Sequence, residues 1–203
     1  MSIFLFQGDS ITDAGRNSTT DGLGTGYVSM IRAWLQARHA SAGHRVLNRG
    51  VGGDRTVELL ARWKGDCLDL QADLLSVSIG VNDVWRFREE WNGQKFVPGA
   101  EYVANYRSLL DQALKAGVSR LVLMSPTSID EERDSRFVEL LDERTEQVKT
   151  LAREYGAVYV PTREAQLRAL KEAPETRWTE DGCHPTVAGH ALMAATWLEA
   201  VGL

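Results

Sequence analysis

The sequence predicts an α/β fold, a three-layer α/β/α arrangement in which helices cover both faces of a five-stranded parallel sheet. Short apolar runs rich in β-favouring residues alternate with longer stretches in which apolar residues recur at helical spacing. Strands that alternate with helices usually pair in parallel and are covered on both faces. The 203 residues contain no internal repeat and no Pro- or Ser-rich linker, and one domain typically has about this length. We therefore expect a single flavodoxin-like domain over residues 1–203.

The strands are predicted from short runs of β-favouring, mainly apolar residues. The first run, Ile-Phe-Leu-Phe at residues 3–6, is continuously apolar, as is typical of a strand buried on both faces, and breaks at the polar sequence that follows it. Four later runs, some of which include polar residues, lie at residues 45–48, 74–80, 121–124 and 157–160. These five runs, in this order, are the predicted strands.

The helices are predicted between the strands from the 3.6-residue period of apolar side chains. A Gly- and Thr-rich loop extends from the first strand to about residue 26, and the first long helix follows it, with apolar markers at Val28, Ile31, Leu35 and Ala37. Further helices are predicted from residue 56 onward and over residues 102–114, 137–155 and 164–171. The closing helix carries Leu192, Ala195 and Leu198 on one stripe. The segment after the third strand is predicted to be a long loop that contains Trp85, Phe87 and Trp91.

Composition and charge exclude several classes of function. The chain has 23 Lys and Arg against 28 Asp and Glu, a net charge of −5, so no strong positive field attracts nucleic acid or an anionic membrane. Its two cysteines, Cys67 and Cys183, lack the spacing of a zinc site or a disulfide framework. The first residues lack the basic segment and long apolar core of a secretory leader. These features predict a cytoplasmic protein that acts on a soluble small molecule.

Four polar segments contain candidate functional residues. Three follow the first three strands, and ligands of open parallel sheets bind beyond the carboxyl ends of the strands. Residues 8–13 contain Ser10, residues 48–54 are Gly-rich, and residues 80–85 contain Asn82. The fourth segment precedes the closing helix and places Asp181 three residues before His184. Each segment alone has an ordinary structural explanation, as a helix cap, a turn or a surface histidine.

The four segments together resemble the SGNH, or GDSL, hydrolase family of esterases, thioesterases, lipases and carbohydrate deacetylases. Their order is Gly-Asp-Ser, Gly, Gly-x-Asn-Asp and Asp-x-x-His, and they extend from Gly8 to His184. The resemblance implies an SGNH-hydrolase fold and a catalytic triad in which Ser10 is the nucleophile, His184 the general base and acid, and Asp181 its orienting partner. It also implies an oxyanion hole formed by the backbone N–H groups of Ser10 and Gly53 and the side-chain amide of Asn82. Neither a metal nor an organic cofactor is required.

The expected substrate is a small acyl ester of a carbohydrate. The opening segment, residues 7–16, and the segment of residues 82–88 are similar to the branch of the family that removes acetyl groups from xylo-oligosaccharides inside cells. Trp85 lies beside the oxyanion Asn, and Trp91 and Trp178 are expected within reach of it. Such aromatic rings suit the apolar faces of a sugar. The candidate substrate-binding residues are Asp9, Trp85, Arg86 and Trp178. The alternative for Trp85 is that it packs the loop or a subunit contact, and a surface with several Trp residues permits a homo-oligomer.

The sequence is also compatible with other functions. A thioesterase or lysophospholipase would need an apolar trough for a long acyl chain, which no loop obviously builds. A flavodoxin-like binding module would hold FMN or a phosphorylated ligand after the first two strands. A magnesium phosphatase would use carboxylates, here Asp9, Asp13, Asp54, Asp83 and Asp181. The last candidate residue, Cys183, is predicted to be a packed thiol rather than a reactive one.

Overall fold

Five parallel strands form the central sheet of the computed structural model, which describes residues 2–88, 91–127 and 135–203. The strands are β1 (Ile3–Gly8), β2 (Arg45–Gly50), β3 (Leu74–Ser78), β4 (Arg120–Met124) and β5 (Val158–Val160). Their order in the sheet is β2-β1-β3-β4-β5, and every neighbouring pair is parallel. This is the flavodoxin-like order. The predicted fold class is therefore confirmed.

Eight helices occur in the described part of the chain. They are α1 (Ser10–Asp13), α2 (Tyr27–His39), α3 (Thr56–Asp66), α4 (Val81–Trp85), α5 (Gly99–Lys115), α6 (Ser135–Glu154), α7 (Thr162–Glu172) and α8 (Val187–Val201). The apolar residues of α3, α5 and α6 pack on one face of the sheet, with Leu5 of β1 in the same cluster. Those of α2 and α8 pack on the other face, with Phe4 and Phe6 of β1. Successive β1 side chains thus face opposite layers, as a doubly covered strand requires.

Three predictions about elements were wrong in detail. The segment after β3 begins with the short helix α4 rather than a loop, and Gly80, at φ +137°, makes the turn into it. On α8 the predicted stripe is only partly buried: Leu198 lies in the core, but Ala195 is exposed, and Met193 and Trp197, which the stripe leaves out, are fully buried. On α5, Leu114, which helical spacing places on the apolar stripe, is 43% exposed.

The carboxyl ends of β1, β2 and β3 meet at one edge of the sheet. Gly8 pairs with Gly50 on one side and with Ser78 on the other. A Cβ atom at Gly8 would collide with the Ser78 carbonyl and with the side chain of Thr12. Glycine at this position therefore lets α1 begin directly at the sheet edge, with Ser10 as its first residue. Within the described residues, no helix combines the length and the apolar character that a bilayer crossing needs.

Candidate active site

Ser10 lies at the N-terminus of α1, directly beyond β1. The preceding residue, Asp9, caps this short helix by accepting a hydrogen bond from the Ile11 N–H at 3.0 Å. The helix ends within one turn, because Ala14 adopts a left-handed conformation with φ +40°. The sequence Gly-Asp-Ser thus ends a strand, caps a helix and brings a hydroxyl to the edge where the loops after β2 and β3 also lie.

The structure brings Ser10, His184 and Asp181 together. Ser10 Oγ lies 2.9 Å from His184 Nε2, although 174 positions separate the two residues. His184 Nδ1 lies 2.7 Å from Asp181 Oδ2. The side chains of His184 and Asp181 are 49% and 55% exposed. A hydroxyl, an imidazole and a carboxylate in this chain of hydrogen bonds have the geometry of a nucleophile, its base and an orienting group.

Asp181 is held in the ionised form by the residues that follow it. Its Oδ1 accepts hydrogen bonds from the backbone N–H groups of His184, at 2.8 Å, and Cys183, at 3.0 Å. Burial raises the pKa of Asp181, but the hydrogen bonds from the backbone and ring of His184 and from Cys183 outweigh it and hold the pKa below its usual value. The carboxylate therefore keeps a negative charge beside the imidazole.

Donors for a developing negative charge surround the serine. Gly53 lies in the cavity wall with φ +82°, and Asn82 Nδ2 donates to the Asp54 carbonyl at 3.1 Å, which fixes the amide and leaves its second N–H for another acceptor. Within the part of the chain that the structure describes, the backbone N–H groups of Ser10 and Gly53 have no protein acceptor. The N–H of Gly50 is already bonded to Asn48 Oδ1 at 2.9 Å. Gly53 is thus a better placed donor than Gly50.

A cavity of about 300 Å³ opens over these groups. Its lining residues are Ser10, Gly53, Asn82, Trp85, Arg86, Trp91, Asp181, Cys183 and His184. The guanidinium of Arg86 lies 5.3 Å from the centre of the Trp91 ring, and its Nε donates to Gln94 Oε1 at 3.0 Å. Two indole rings and a cation therefore form the wall next to Asn82. Cys183 is only 8% exposed and also packs in the apolar cluster of α2 and α8, while its predicted lack of reactivity stays a prediction.

Two residues that the sequence analysis assigned to substrate binding lie outside the cavity lining. Asp9 is only 2% exposed and faces the protein interior, where burial raises its pKa to about 7. Trp178 is half-buried, and its indole N–H donates to the Ala173 carbonyl at 3.1 Å. Neither is among the described residues that line the cavity, so their role in binding stays a prediction without support from this geometry.

Trp91 was expected within reach of the site but was not assigned to substrate binding. Its ring lies against Gly53, so closely that a Cβ atom on Gly53 would be 2.5 Å from Trp91 Cζ3. Arg62 is a site residue that the sequence did not reveal. It lies beneath the site and donates to the Gly8 carbonyl and to the carboxylate of Asp54, which directly follows Gly53. Its only signal was its residue type, since it lies in none of the four polar segments.

The aspartates of the phosphatase alternative have other partners. Asp83 accepts hydrogen bonds from the Thr56 hydroxyl, at 2.6 Å, and from the Thr56 N–H, whereas Asp54 pairs with Arg62 at 2.6 Å. Burial raises the pKa of Asp83 to about 6 although the Thr56 hydrogen bonds oppose this effect. Across residues 2–88, 91–127 and 135–203, no three His, Cys, Asp or Glu side chains cluster in a way that would hold a metal ion.

Comparison with known proteins gives consistent matches over the full chain. The model of the GDSL-like lipase/acylhydrolase family matches residues 6–192. An acetylxylan esterase of Geobacillus stearothermophilus is 36% identical over 204 residues, which cover 98% of this chain and 93% of that protein. A solved structure of a catalytic mutant of Axe2, an acetylxylan esterase from the same organism, has a TM-score of 0.91 at 34% identity and covers 100% of this chain and 94% of its own. LAE5, an alpha/beta hydrolase enzyme from the metagenome of Lake Arreo, Spain, has a TM-score of 0.89 at 30% identity, with coverages of 99% and 95%.

Proposed function

This chain belongs to the GDSL-like lipase/acylhydrolase family, and from that premise we propose that it is a serine esterase that removes acetyl groups from carbohydrates. The observation that carries the proposal is the hydrogen-bonded series Ser10, His184 and Asp181, with 2.9 Å and 2.7 Å between successive side chains. The acetylxylan esterase that is similar over nearly the whole chain supports acetylated carbohydrates as the substrate class.

In the first half of the reaction, His184 Nε2 takes the proton of the Ser10 hydroxyl while Ser10 Oγ attacks the ester carbonyl carbon. Asp181 holds the ring through Nδ1 and stabilises the imidazolium that forms. The carbonyl oxygen becomes an anion, and the N–H groups of Ser10 and Gly53 and the amide of Asn82 donate to it. When the tetrahedral intermediate collapses, His184 returns the proton to the departing alcohol oxygen and an acyl group remains on Ser10.

In the second half, water replaces the alcohol. His184 takes a proton from the water molecule while the water oxygen attacks the acyl carbon. The same donors stabilise the second tetrahedral intermediate. Its collapse breaks the bond to Ser10 Oγ, which regains a proton from His184, and the carboxylic acid leaves. The side chains needed for these steps all line the cavity.

The dimensions and wall of the cavity favour a short acyl group on a sugar. About 300 Å³ is at the small end of the range for ligand pockets, and it must hold both the acyl group and part of the alcohol. Trp85 and Trp91 offer flat apolar faces for a sugar ring, and Arg86 lies beside them in the cavity lining. A long acyl chain would have to leave this cavity into solvent.

Replacing Ser10 by Ala tests the nucleophile. The substitution removes one oxygen atom at a half-buried position, so we expect a folded protein whose turnover of p-nitrophenyl acetate falls at least about 10³-fold. Mass spectrometry after treatment with an organophosphonate ester should show one covalent adduct on Ser10 in the wild type and none in the variant. A folded Ser10→Ala protein with wild-type turnover would remove Ser10 from this role.

Substrate choice is tested with esters that differ only in acyl length. We expect kcat/KM for p-nitrophenyl acetate to exceed that for the octanoate by at least about tenfold, because the cavity holds only a short chain. Acetylated xylo-oligosaccharides should be deacetylated, whereas a long-chain acyl thioester should not be hydrolysed. A preference for the thioester would favour the thioesterase alternative, and a protein that binds FMN or phosphate without hydrolysing any ester would favour the binding module.

A further inference from the structure

Arg62, on α3, joins the ends of two strands and the loop that follows the second of them. Its side chain is 17% exposed. Nη2 donates to the Gly8 carbonyl at 3.0 Å, Nη1 to the Arg49 carbonyl at 2.8 Å, and Nε to Asp54 Oδ2 at 2.6 Å. Nη1 also lies 2.9 Å from Gln7 Oε1 and 3.2 Å from Asp66 Oδ2. One planar guanidinium therefore contacts β1, β2, the loop after β2 and its own helix.

The groups that Arg62 holds are next to the three proposed oxyanion donors. Gly8 comes two residues before Ser10, and Asp54 directly follows Gly53. The carbonyl of the same Asp54 accepts the hydrogen bond from Asn82 Nδ2 at 3.1 Å. Each donor is thus connected to a residue that Arg62 holds, either through one or two residues of backbone or through one hydrogen bond.

The pairing with Asp54 is strong enough to hold the loop. Asp54 is only 6% exposed, and burial raises the pKa of its carboxyl group, while the hydrogen bond and positive charge of Arg62 act in the opposite direction. Moving the loop away from Arg62 would leave the Asp54 carboxylate buried without its partner, which costs free energy. The loop is therefore held beside the guanidinium. Hydrogen bonds between ionised groups are also shorter and stronger than neutral ones.

We propose that Arg62 is a positioning residue for the oxyanion hole: by clamping Gly8 and Asp54 it sets the separation of the Ser10 and Gly53 N–H groups and the orientation of Asn82. This inference rests on the proposed esterase function. Donor placement matters because a misplacement of about 1 Å can cost about 10² in rate. A lysine could not replace the arginine, because its single nitrogen cannot reach both carbonyl oxygens and the Asp54 carboxylate at once.

The test compares Arg62→Lys with the wild type in the hydrolysis of p-nitrophenyl acetate. We expect kcat to fall about 10- to 100-fold while KM stays within about twofold, because the donors act on the transition state more than on the bound ester. All rates are divided by the concentration of Ser10 that an organophosphonate labels, so that unfolded molecules do not count. Arg107→Lys is the matched control, since Arg107 makes a comparable fork to Glu154, at 2.9 Å and 2.8 Å, on the exposed surface. Its kcat should be unchanged.

Two further measurements separate positioning from a merely structural role. In Arg62→Ala, millimolar guanidinium chloride should restore part of the lost kcat, whereas sodium chloride or urea at the same concentration should not. Asp54→Asn, which keeps the shape of the side chain but removes the charge that Arg62 binds, should lower kcat in the same direction with KM again unchanged. Either result supports the clamp even if Arg62→Lys folds poorly.

The outcomes separate this inference from the function on which it rests. If the wild type hydrolyses the ester but Arg62→Lys and Asp54→Asn retain its kcat per labelled Ser10, the positioning role is wrong and the esterase function stands. If the loss lies in KM alone, or if guanidinium restores nothing and Asp54→Asn also keeps the wild-type kcat, Arg62 supports the fold rather than the donors. If the wild type neither hydrolyses esters nor reacts with the organophosphonate, the proposed function itself fails.

Discussion

Two features of Gly53 are incompatible with a side-chain methyl group at this position. Its φ of +82° lies in the left-handed region, and its Cα faces the ring of Trp91. An L-residue pays about 1–2 kcal/mol for that conformation. The second feature is local to the site, since the Trp91 ring and the Gly53 N–H lie on the same cavity wall. Trp91 therefore has a direct influence on where the proposed oxyanion donor lies.

Replacing Gly53 by Ala should lower kcat more than stability alone explains. The added Cβ must displace the Trp91 ring or shift the backbone N–H, so we expect kcat per active site to fall at least about tenfold. Gly202→Ala is the matched control, because Gly202 has a φ of +81° at the end of α8 with open space around it. Both variants should lose about 1–2 kcal/mol in urea unfolding. Equal kcat in the two variants would contradict the role of the Trp91 contact.

For single residues, the sequence indicates which residues belong to the site better than it indicates what they contact. The family resemblance assigned Ser10, Asp181 and His184, and the structure places these three side chains within hydrogen-bond distance. The contact between Trp91 and Gly53 was not predicted, because it depends on the turn that joins Trp91 to Gln94, which no local pattern specifies. Asp9 was assigned to binding because it lies next to Ser10 in sequence, but the helix cap directs its carboxylate inward, and the geometry gives that prediction no support.

Among the elements, α8 shows why burial was predicted less well than secondary structure. Its existence followed from apolar residues at helical spacing, but a helix that is apolar on most sides has no unique phase. The true buried face carries Met193, Trp197 and Val201, because these residues meet β1 and α2. Trp197 also donates to Ser76 Oγ at 3.0 Å across the core, which no helical pattern could indicate.

β2 contributes to the site through Asn48, whose side chain attaches the loop after β1 to the sheet. Asn48 is 1% exposed, and its Nδ2 donates to the carbonyls of Thr12, at 2.7 Å, and Leu23, at 2.9 Å. Its Oδ1 accepts the Gly50 N–H. The Asn thus satisfies three buried backbone groups on two elements, and it holds α1, which begins with Ser10, against β2.

Asn48→Asp should therefore destabilise the protein strongly. The substitution replaces the donating amide by an oxygen that faces two carbonyl oxygens, so we expect a loss of about 2–4 kcal/mol in the free energy of unfolding. Asn17→Asp makes the same chemical change at an exposed position in the loop and should cost less than about 0.5 kcal/mol. Urea unfolding followed by circular dichroism measures both. Similar stabilities for the two variants would show that the Asn48 hydrogen bonds carry little energy.

Over the whole molecule, the sheet edge that carries the proposed chemistry also contains buried acids. Burial raises the pKa of Asp9 to about 7 and that of Asp83 to about 6. Burial acts on His190 in the other direction and lowers its pKa to about 4. At these acids the folded state binds a proton more tightly than the unfolded chain does. The free energy of unfolding therefore falls as the pH rises. The geometry of the site thus has a cost in stability near neutral pH, in keeping with a functional site built from buried polar groups.

Asp9→Asn isolates the largest of these effects. The Asn oxygen can still accept the hydrogen bond from the Ile11 N–H, but the side chain does not ionise. Below pH 3.8 Asp9 is protonated in both the folded and unfolded states, so its carboxyl group costs nothing. Between pH 3.8 and about 7 the unfolded chain ionises Asp9 while the folded state keeps its proton, so wild-type stability falls across this range and levels off above it. Relative to the wild type, Asp9→Asn should therefore gain up to ~4 kcal/mol between pH 4 and pH 8.

The measurement is urea unfolding of both proteins at several pH values, with the difference between them plotted against pH. His190 is present in both proteins, so its contribution cancels in that difference, whereas the repulsion between Asp83 and Asp9 exists only in the wild type and is part of the effect measured. Asp69→Asn serves as the control, because Asp69 is exposed and paired with the exposed Lys64, and its difference from the wild type should show no comparable rise from acid to neutral pH. A constant difference for Asp9→Asn across the same range would mean that the folded protein accommodates the Asp9 carboxylate without penalty. In that case the interior beneath Ser10 would be more polar than its burial indicates.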